Sequence, residues 1–89
     1  MPQEFSLLQN YPNPFNPTTK IEYRLPADQY VTLRVYDVLG QEVARLVEGF
    51  GEAGRHVIDF NAASLANGVY MYSLKTSSNY EVKRMVLLK

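Results

Sequence analysis

Apolar and polar residues alternate with a period of two along most of this chain. In "TKIEYRL", Ile21, Tyr23 and Leu25 fall on one face and Lys20, Glu22 and Arg24 on the other. That is the pattern of a strand with one face buried. "YVTLRVYD" repeats it, with Val31, Leu33 and Val35 inward and Thr32, Arg34 and Tyr36 outward. "QEVARLV" is shorter and less regular. "GRHVIDF" puts His56, Ile58 and Phe60 on one face, while Val57 leaves the other partly apolar. "GVYMYSLK" sets Tyr70, Tyr72 and Leu74 against Val69, Met71 and Ser73. Both of its faces are apolar, so it is expected to lie in the middle of a sheet. "NYEVKRMVLLK" supplies a last apolar strand. The β-branched and aromatic share of these runs suits a pleated surface.

Turn residues separate the runs. "DVLGQ" has Asp37 first and Gly40 three residues on, as a type I turn followed by a left-handed residue requires. Residues 30–47 therefore read as a β-hairpin. "EGFGEAG", with Gly49, Gly51 and Gly54, reads as a longer loop. "NAASLANG" is expected to wind into one helical turn before Asn67-Gly68 releases the next strand. "TSSN" is a polar turn. About seven short strands in 89 residues predict an all-β fold, an antiparallel immunoglobulin-like β-sandwich. A small closed barrel is the alternative. One domain over residues 1–89 is expected, with 1–4 a linker remnant.

The stretch before the first long strand, "LLQNYPNPFNPTT", is different. Pro12, Pro14 and Pro17 each lack an amide donor, which excludes a central strand. Tyr11, Asn13 and Asn16 precede a proline and are pushed toward extended geometry. Residues 11–17 are expected to run as a stiff polyproline-like strip, with Tyr11 and Phe15 inserting over one end of the sandwich. The strip reads as a rigid cover for a sheet edge. A ligand for an aromatic groove is the less favoured reading, because no clean PxxP lies in a disordered tail.

Composition narrows the chemistry. Nine basic and nine acidic residues are spread along the chain, which argues against a nucleic-acid or anionic-membrane surface built from bulk charge. Cysteine is absent, so there is neither a disulfide nor a thiolate metal site. No apolar run is long enough to span a bilayer, and Met1-Pro2-Gln3-Glu4 lacks the basic region and apolar core of a signal peptide. His56 is the single histidine and has no ligand-type neighbours at metal-site spacing, so it reads as a core-edge residue with one hydrogen bond. Ser64, His56 and Asp59 do not form a triad, since His56 and Asp59 lie on opposite strand faces. Glu22, Asp37, Glu42 and Asp59 are scattered rather than paired. Asp37 and Asp59 read as turn residues rather than calcium ligands. Phosphate-binding glycine motifs are missing, and Pro17 after Asn16 excludes a glycosylation sequon. No catalytic residue, metal ligand or cofactor is expected, and the chain does not read as an enzyme. Seven tyrosines are the unusual count. Tyr23, Tyr70 and Tyr72 read as core. Tyr30, Tyr36 and Tyr80 read as exposed and able to stack on sugar rings, which keeps open a carbohydrate- or cell-surface-binding accessory module of a secreted hydrolase.

Four stretches in order resemble a known family. "LLQNYPNPFNPTTKIEYRLP", "VTLRVYDVLGQEVARLV", "EAGRHVIDFNAASLANGVYMYSLK" and "KRMVLLK" resemble the type A C-terminal sorting domain of the type IX secretion system. They are also similar to the related immunoglobulin-like domain of flagellar hook-capping proteins. The likeness runs from about Phe5 to Lys89. Each motif is weak alone; their order and spacing are specific. The motif residues are Tyr11, Pro12, Asn13, Pro14, Phe15, Asn16, Pro17, Gly40, Gly54, His56, Phe60, Gly68 and Tyr70. One departure is Phe60-Asn61, where the family often has tryptophan and aspartate. Phe60 keeps the large aromatic, but Asn61 lacks the carboxylate.

The resemblance implies a non-catalytic address label at the end of a multidomain secreted protein of Bacteroidota and related phyla. An N-terminal cargo would transit the periplasm, be recognised at the outer-membrane type IX translocon, and reach the cell surface or the medium. A sortase-like peptidase would remove the domain and join the cargo to surface lipopolysaccharide. No nucleic-acid partner is implied. The strand expected to be recognised is Lys83, Arg84, Met85, Val86, Leu87, Leu88 and Lys89, a basic pair beside a sheet edge offering charge steering and backbone pairing. A stop at Lys89 would count against the hook-capping reading, which expects the domain inside a longer chain.

Overall fold

The computed structural model describes residues 4–89, so the expected linker at 1–4 lies outside the described residues except for Glu4. Seven strands follow one another: β1 (Ser6–Leu7), β2 (Thr18–Leu25), β3 (Gln29–Tyr36), β4 (Glu42–Gly51), β5 (Gly54–Asn61), β6 (Gly68–Lys75) and β7 (Tyr80–Leu87). They pair antiparallel into two sheets, one ordered β1-β2-β5 and the other β4-β3-β6-β7. This is an antiparallel immunoglobulin-like sandwich in which β1, β2 and β5 face β4, β3, β6 and β7. Two separate sheets set the closed barrel aside.

The alternating pattern places the core where it is expected. Ile21, Tyr23 and Leu25 from β2 meet Val31, Leu33 and Val35 from β3, Tyr70, Tyr72 and Leu74 from β6, and Met85 and Leu87 from β7. Each such fully buried side chain contributes about 1.5–3 kcal/mol of transfer free energy. β6 sits between β3 and β7, as its two apolar faces require. β1 has only two residues, too short for a period to show.

Two local expectations change, and a third is met by a single turn. The glycine-rich stretch 48–54 is not a loop: β4 continues through Gly51, and the connection to β5 is only Glu52 and Ala53. Glu48 and Phe50 pair with Thr32 and Tyr30 on β3, so the ladder carries the strand past its glycines. Gly51 is there for packing, since a Cβ would lie 3.1 Å from Leu25 and 3.2 Å from Val31. "NAASLANG" forms a single turn closed by the Leu65 amide on the Ala62 carbonyl, 3.0 Å, and no helix; one bond does not propagate one. The proline segment is not a polyproline strip either. Its Tyr11–Pro12 and Asn13–Pro14 peptide bonds are cis, and it runs through bends between isolated bridges at Tyr11 and Phe15. Of its two aromatics only Phe15 inserts, whereas the Tyr11 side chain is 80% exposed.

The registers define two poles. Thr18 pairs with Asn61 and Gly68 with Leu87 at one pole, which gathers segment 12–17, turn 37–41, turn 62–67 and the end of β7. Leu25 pairs with Gly54 and Lys75 with Tyr80 at the other, which gathers turns 26–28, 52–53 and 76–79. The hairpin tip at the first pole is set by Asp37. Its carboxylate accepts the Leu39 and Gln41 amides at 2.9 and 3.0 Å, and Gly40 takes φ 82°, a left-handed value costly for other residues.

Candidate recognition strand and its strap

β7 is an edge strand of the four-stranded sheet. A bare edge presents unpaired amides and carbonyls to any passing strand. Here the lead-in segment covers the last third of it. The Phe15 amide donates to the Val86 carbonyl, and the Leu88 amide donates to the Phe15 carbonyl, both at 3.0 Å. The Asn13 carboxamide oxygen accepts the Val86 amide at 3.0 Å. Gln9 donates its side-chain amide to the Arg84 carbonyl at 2.7 Å. The Phe15 ring, 2% exposed, tilts at 50° against Phe60 with centroids 6.2 Å apart. Phe60 thus does the packing expected of a large aromatic there.

A buried polar cluster holds the strap in place. The Tyr72 hydroxyl accepts the Asn10 amide at 2.8 Å and donates to the Leu8 carbonyl at 2.7 Å. Asn10 donates its carboxamide to Thr19 Oγ1 at 3.0 Å and to the Pro12 carbonyl at 3.2 Å. Thr19 donates to the same carbonyl at 2.9 Å. Burial pushes the Tyr72 hydroxyl up to about 12, the Asn10 amide bond opposing the rise. None of Gln9, Asn10, Thr19 or the Tyr72 hydroxyl was marked by the alternating pattern. The pattern reports only which face of a strand is apolar, and a hydroxyl on a core tyrosine is invisible to it.

The seven residues of the expected recognition strand divide sharply. Met85 and Leu87 are fully buried and anchor β7 to the core. Lys83 and Val86 are half-buried, Lys83 lying 3.8 Å from Glu81. Arg84, Leu88 and Lys89 are exposed. Lys89 is placed by its amide on the Asn67 side chain at 2.8 Å and its ammonium on the Ala63 carbonyl at 3.1 Å. Backbone pairing to a partner is blocked at Val86 and Leu88, whose outward groups are used by Phe15 and Asn13. Of the motif residues, Pro12, Asn13, Pro14, Asn16, Pro17, Gly40, Phe60 and Gly68 gather with Phe15 at this pole, and Tyr11 bridges Lys20 just behind it. Tyr70 is buried in the core beneath, its hydroxyl donating to the Ala66 carbonyl at 2.6 Å. Gly54 and His56 are brought to the opposite pole. His56 stacks on Tyr23, 5.0 Å between centroids, and its Nε2 makes one hydrogen bond to the Glu52 carbonyl at 2.7 Å.

Among the described residues no cluster of three or more His, Asp or Glu could hold a metal ion. Among the same residues no helix is long and apolar enough to cross a membrane.

The family model described as the secretion system C-terminal sorting domain matches residues 9–88, and the chain belongs to that family. It is a C-terminal sorting signal of type IX secretion, non-catalytic by the nature of the family, and the family implies export to the cell surface or beyond. No curated protein matches the chain. Among solved structures the chain is similar to PorZ, described as an essential bacterial surface component of the type-IX secretion system of human oral-microbiomic Porphyromonas gingivalis. The likeness has a TM-score of 0.59 at 21% identity and covers 96% of this chain, which spans 11% of that protein. It establishes the fold.

Proposed function

We propose that the domain is read by the outer-membrane type IX translocon through the exposed residues of the strapped pole: Arg84, Leu88 and Lys89, presented on the Met85–Leu87 anchor. A cargo N-terminal to the domain crosses the periplasm first, and a sortase-like peptidase then removes the domain and joins the cargo to surface lipopolysaccharide. The observation that carries this reading is the family match over 9–88, combined with the exposure of Arg84, Leu88 and Lys89 beside a covered edge. Because that edge is occupied, recognition proceeds through side chains and charge rather than by strand addition at Val86–Leu88. The accessory-module and hook-capping readings are not favoured by the family match.

The test is a periplasmic reporter fused to this chain and expressed in a type IX host. The fused reporter is expected on the surface or in the medium, with the domain removed and the new end modified, as read by mass spectrometry; the unfused reporter stays in the periplasm. Retention of the fused reporter in the periplasm overturns the reading. Deleting Lys83–Lys89 is a poor test, since it also removes Met85 and Leu87 from the core.

A further inference from the structure

Ion pairs lie on the outer faces of both sheets, but the four-stranded sheet also carries a groove with a polar group left over. On the three-stranded sheet the charges are paired: Lys20 with Asp59 at 2.6 Å, and Glu22 with Arg24 at 3.0 Å and Arg55 at 3.1 Å. Arg55, with Arg24, holds the Glu22 carboxyl below its ordinary range. On the four-stranded sheet a groove of about 340 Å³ is lined by Thr32, Arg34, Tyr36, Ser73, Lys75 and Tyr80. It continues into a second hollow of about 290 Å³ that shares Thr32, Arg34 and Lys75 and reaches Tyr30. Both lie near the size at which small-molecule sites begin, about 300 Å³.

Polar capacity in this groove is only partly used. Thr32 and Ser73, 9% and 3% exposed, form its floor. The Arg34 Nε is buried without a hydrogen bond; its nearest carboxylate, Glu42, is 3.5 Å away and is shared with Arg45 at 3.1 Å. Lys75 has no carboxylate within ion-pair distance among the described residues. Buried polar groups are ordinarily satisfied, and an exception asks for an explanation. Around this floor stand tyrosine rings, with Tyr30 56% and Tyr80 63% exposed.

We infer that this groove is a binding site for a short acidic saccharide. Neither hollow is lined by Leu, Ile, Val or Met, so the apolar surface offered is that of tyrosine rings and side-chain stems. The two floor hydroxyls and the Arg34 Nε supply hydrogen bonds of the kind sugar hydroxyls take up. The tyrosine rings give flat faces for the C–H faces of sugar rings. Arg34 and Lys75 select for a carboxylate, sulfate or phosphate on the sugar. The two joined hollows accommodate more than one ring.

The experiment is an array of neutral, uronic-acid, sulfated and phosphorylated oligosaccharides probed with the whole chain. Retention of at least one acidic saccharide, about tenfold stronger than its neutral counterpart, is expected. Tyr80→Ala and Lys75→Ala should each weaken it about tenfold with unchanged circular dichroism, as anchor residues do, while Lys20→Ala on the other sheet leaves it unchanged. Offering the retained saccharide both free and lipid-linked on vesicles separates a soluble polymer from a membrane-anchored source. Failure to retain any acidic saccharide overturns the inference. So does competition by polyglutamate in a binding that Tyr80→Ala leaves intact, which would mark an acidic peptide as the partner.

Discussion

The two poles of this sandwich are closed by different kinds of bond. At the far pole the closures are mostly short-range. Thr76 and Asn79 close one turn on themselves, His56 reaches four residues back to Glu52, and Asp28 accepts the Ala53 amide at 2.7 Å across 25 residues. The strapped pole has short turns of its own at 37–41 and 62–65, but the lead-in bonds from Asn10 to Tyr72, from Asn13 to Val86 and from Gln9 to Arg84 join residues 62, 73 and 75 apart. The far pole can loosen one turn at a time. The strapped pole cannot: the presentation of β7 depends on the lead-in, so the first and last parts of the domain act as one unit.

Breaking that unit should have its largest effect at Phe15. Phe15→Ala empties a fully enclosed site and is expected to cost about 3–5 kcal/mol, a large share of the about 5–15 kcal/mol that holds a domain together. Urea denaturation measures the loss, and hydrogen exchange should show the Val86 and Leu88 amides opening first. Tyr72→Phe keeps the ring but strands the Asn10 amide and the Leu8 carbonyl, at a cost of about 1–3 kcal/mol. The same hydroxyl gives a pH signature. Its pKa of about 12 in the fold lies above the ordinary value of about 10. Its contribution is therefore complete below pH about 10 and is lost as pH rises toward 12. The stability gap between the native chain and Tyr72→Phe should narrow over that window.

Asn13→Ala has a smaller effect. It removes one strap bond and is expected to cost about 0.5–1.5 kcal/mol, with faster exchange at the Val86 amide as its local sign. Asp28→Ala at the far pole should cost about 0.5 kcal/mol or less and leave exchange at Val86 and Leu88 unchanged. If Asp28→Ala loosened β7 as much as Asn13→Ala, the two poles would not be independent.

The alternation of Ile21, Tyr23 and Leu25, and its repeats in β3 and β6, was enough to place the core, because period two maps directly onto a pleated strand. The strand through Gly49 and Gly51 was hidden, since glycine signals a turn locally while Gly51 serves a close approach between sheets. The prolines announced an edge cover, but not which edge. That depended on Phe15 meeting Phe60 and on Asn13 meeting Val86, contacts set by how the sheets fold together. Met85 and Leu87 could be read as apolar, but the division of residues 83–89 into buried anchors and exposed positions needed the core around it.

The strapped pole is the face we propose is read. The most direct measurement is surface export of a reporter fused to two sets of variants, each shown by thermal unfolding to remain folded. One set carries Arg84→Ser, Leu88→Ser and Lys89→Ser; the other carries Asp28→Ser, Glu52→Ser and Ala53→Ser. Export should collapse for the first set and stay at the native level for the second. Native export from the first set, or equal loss from both, would contradict it.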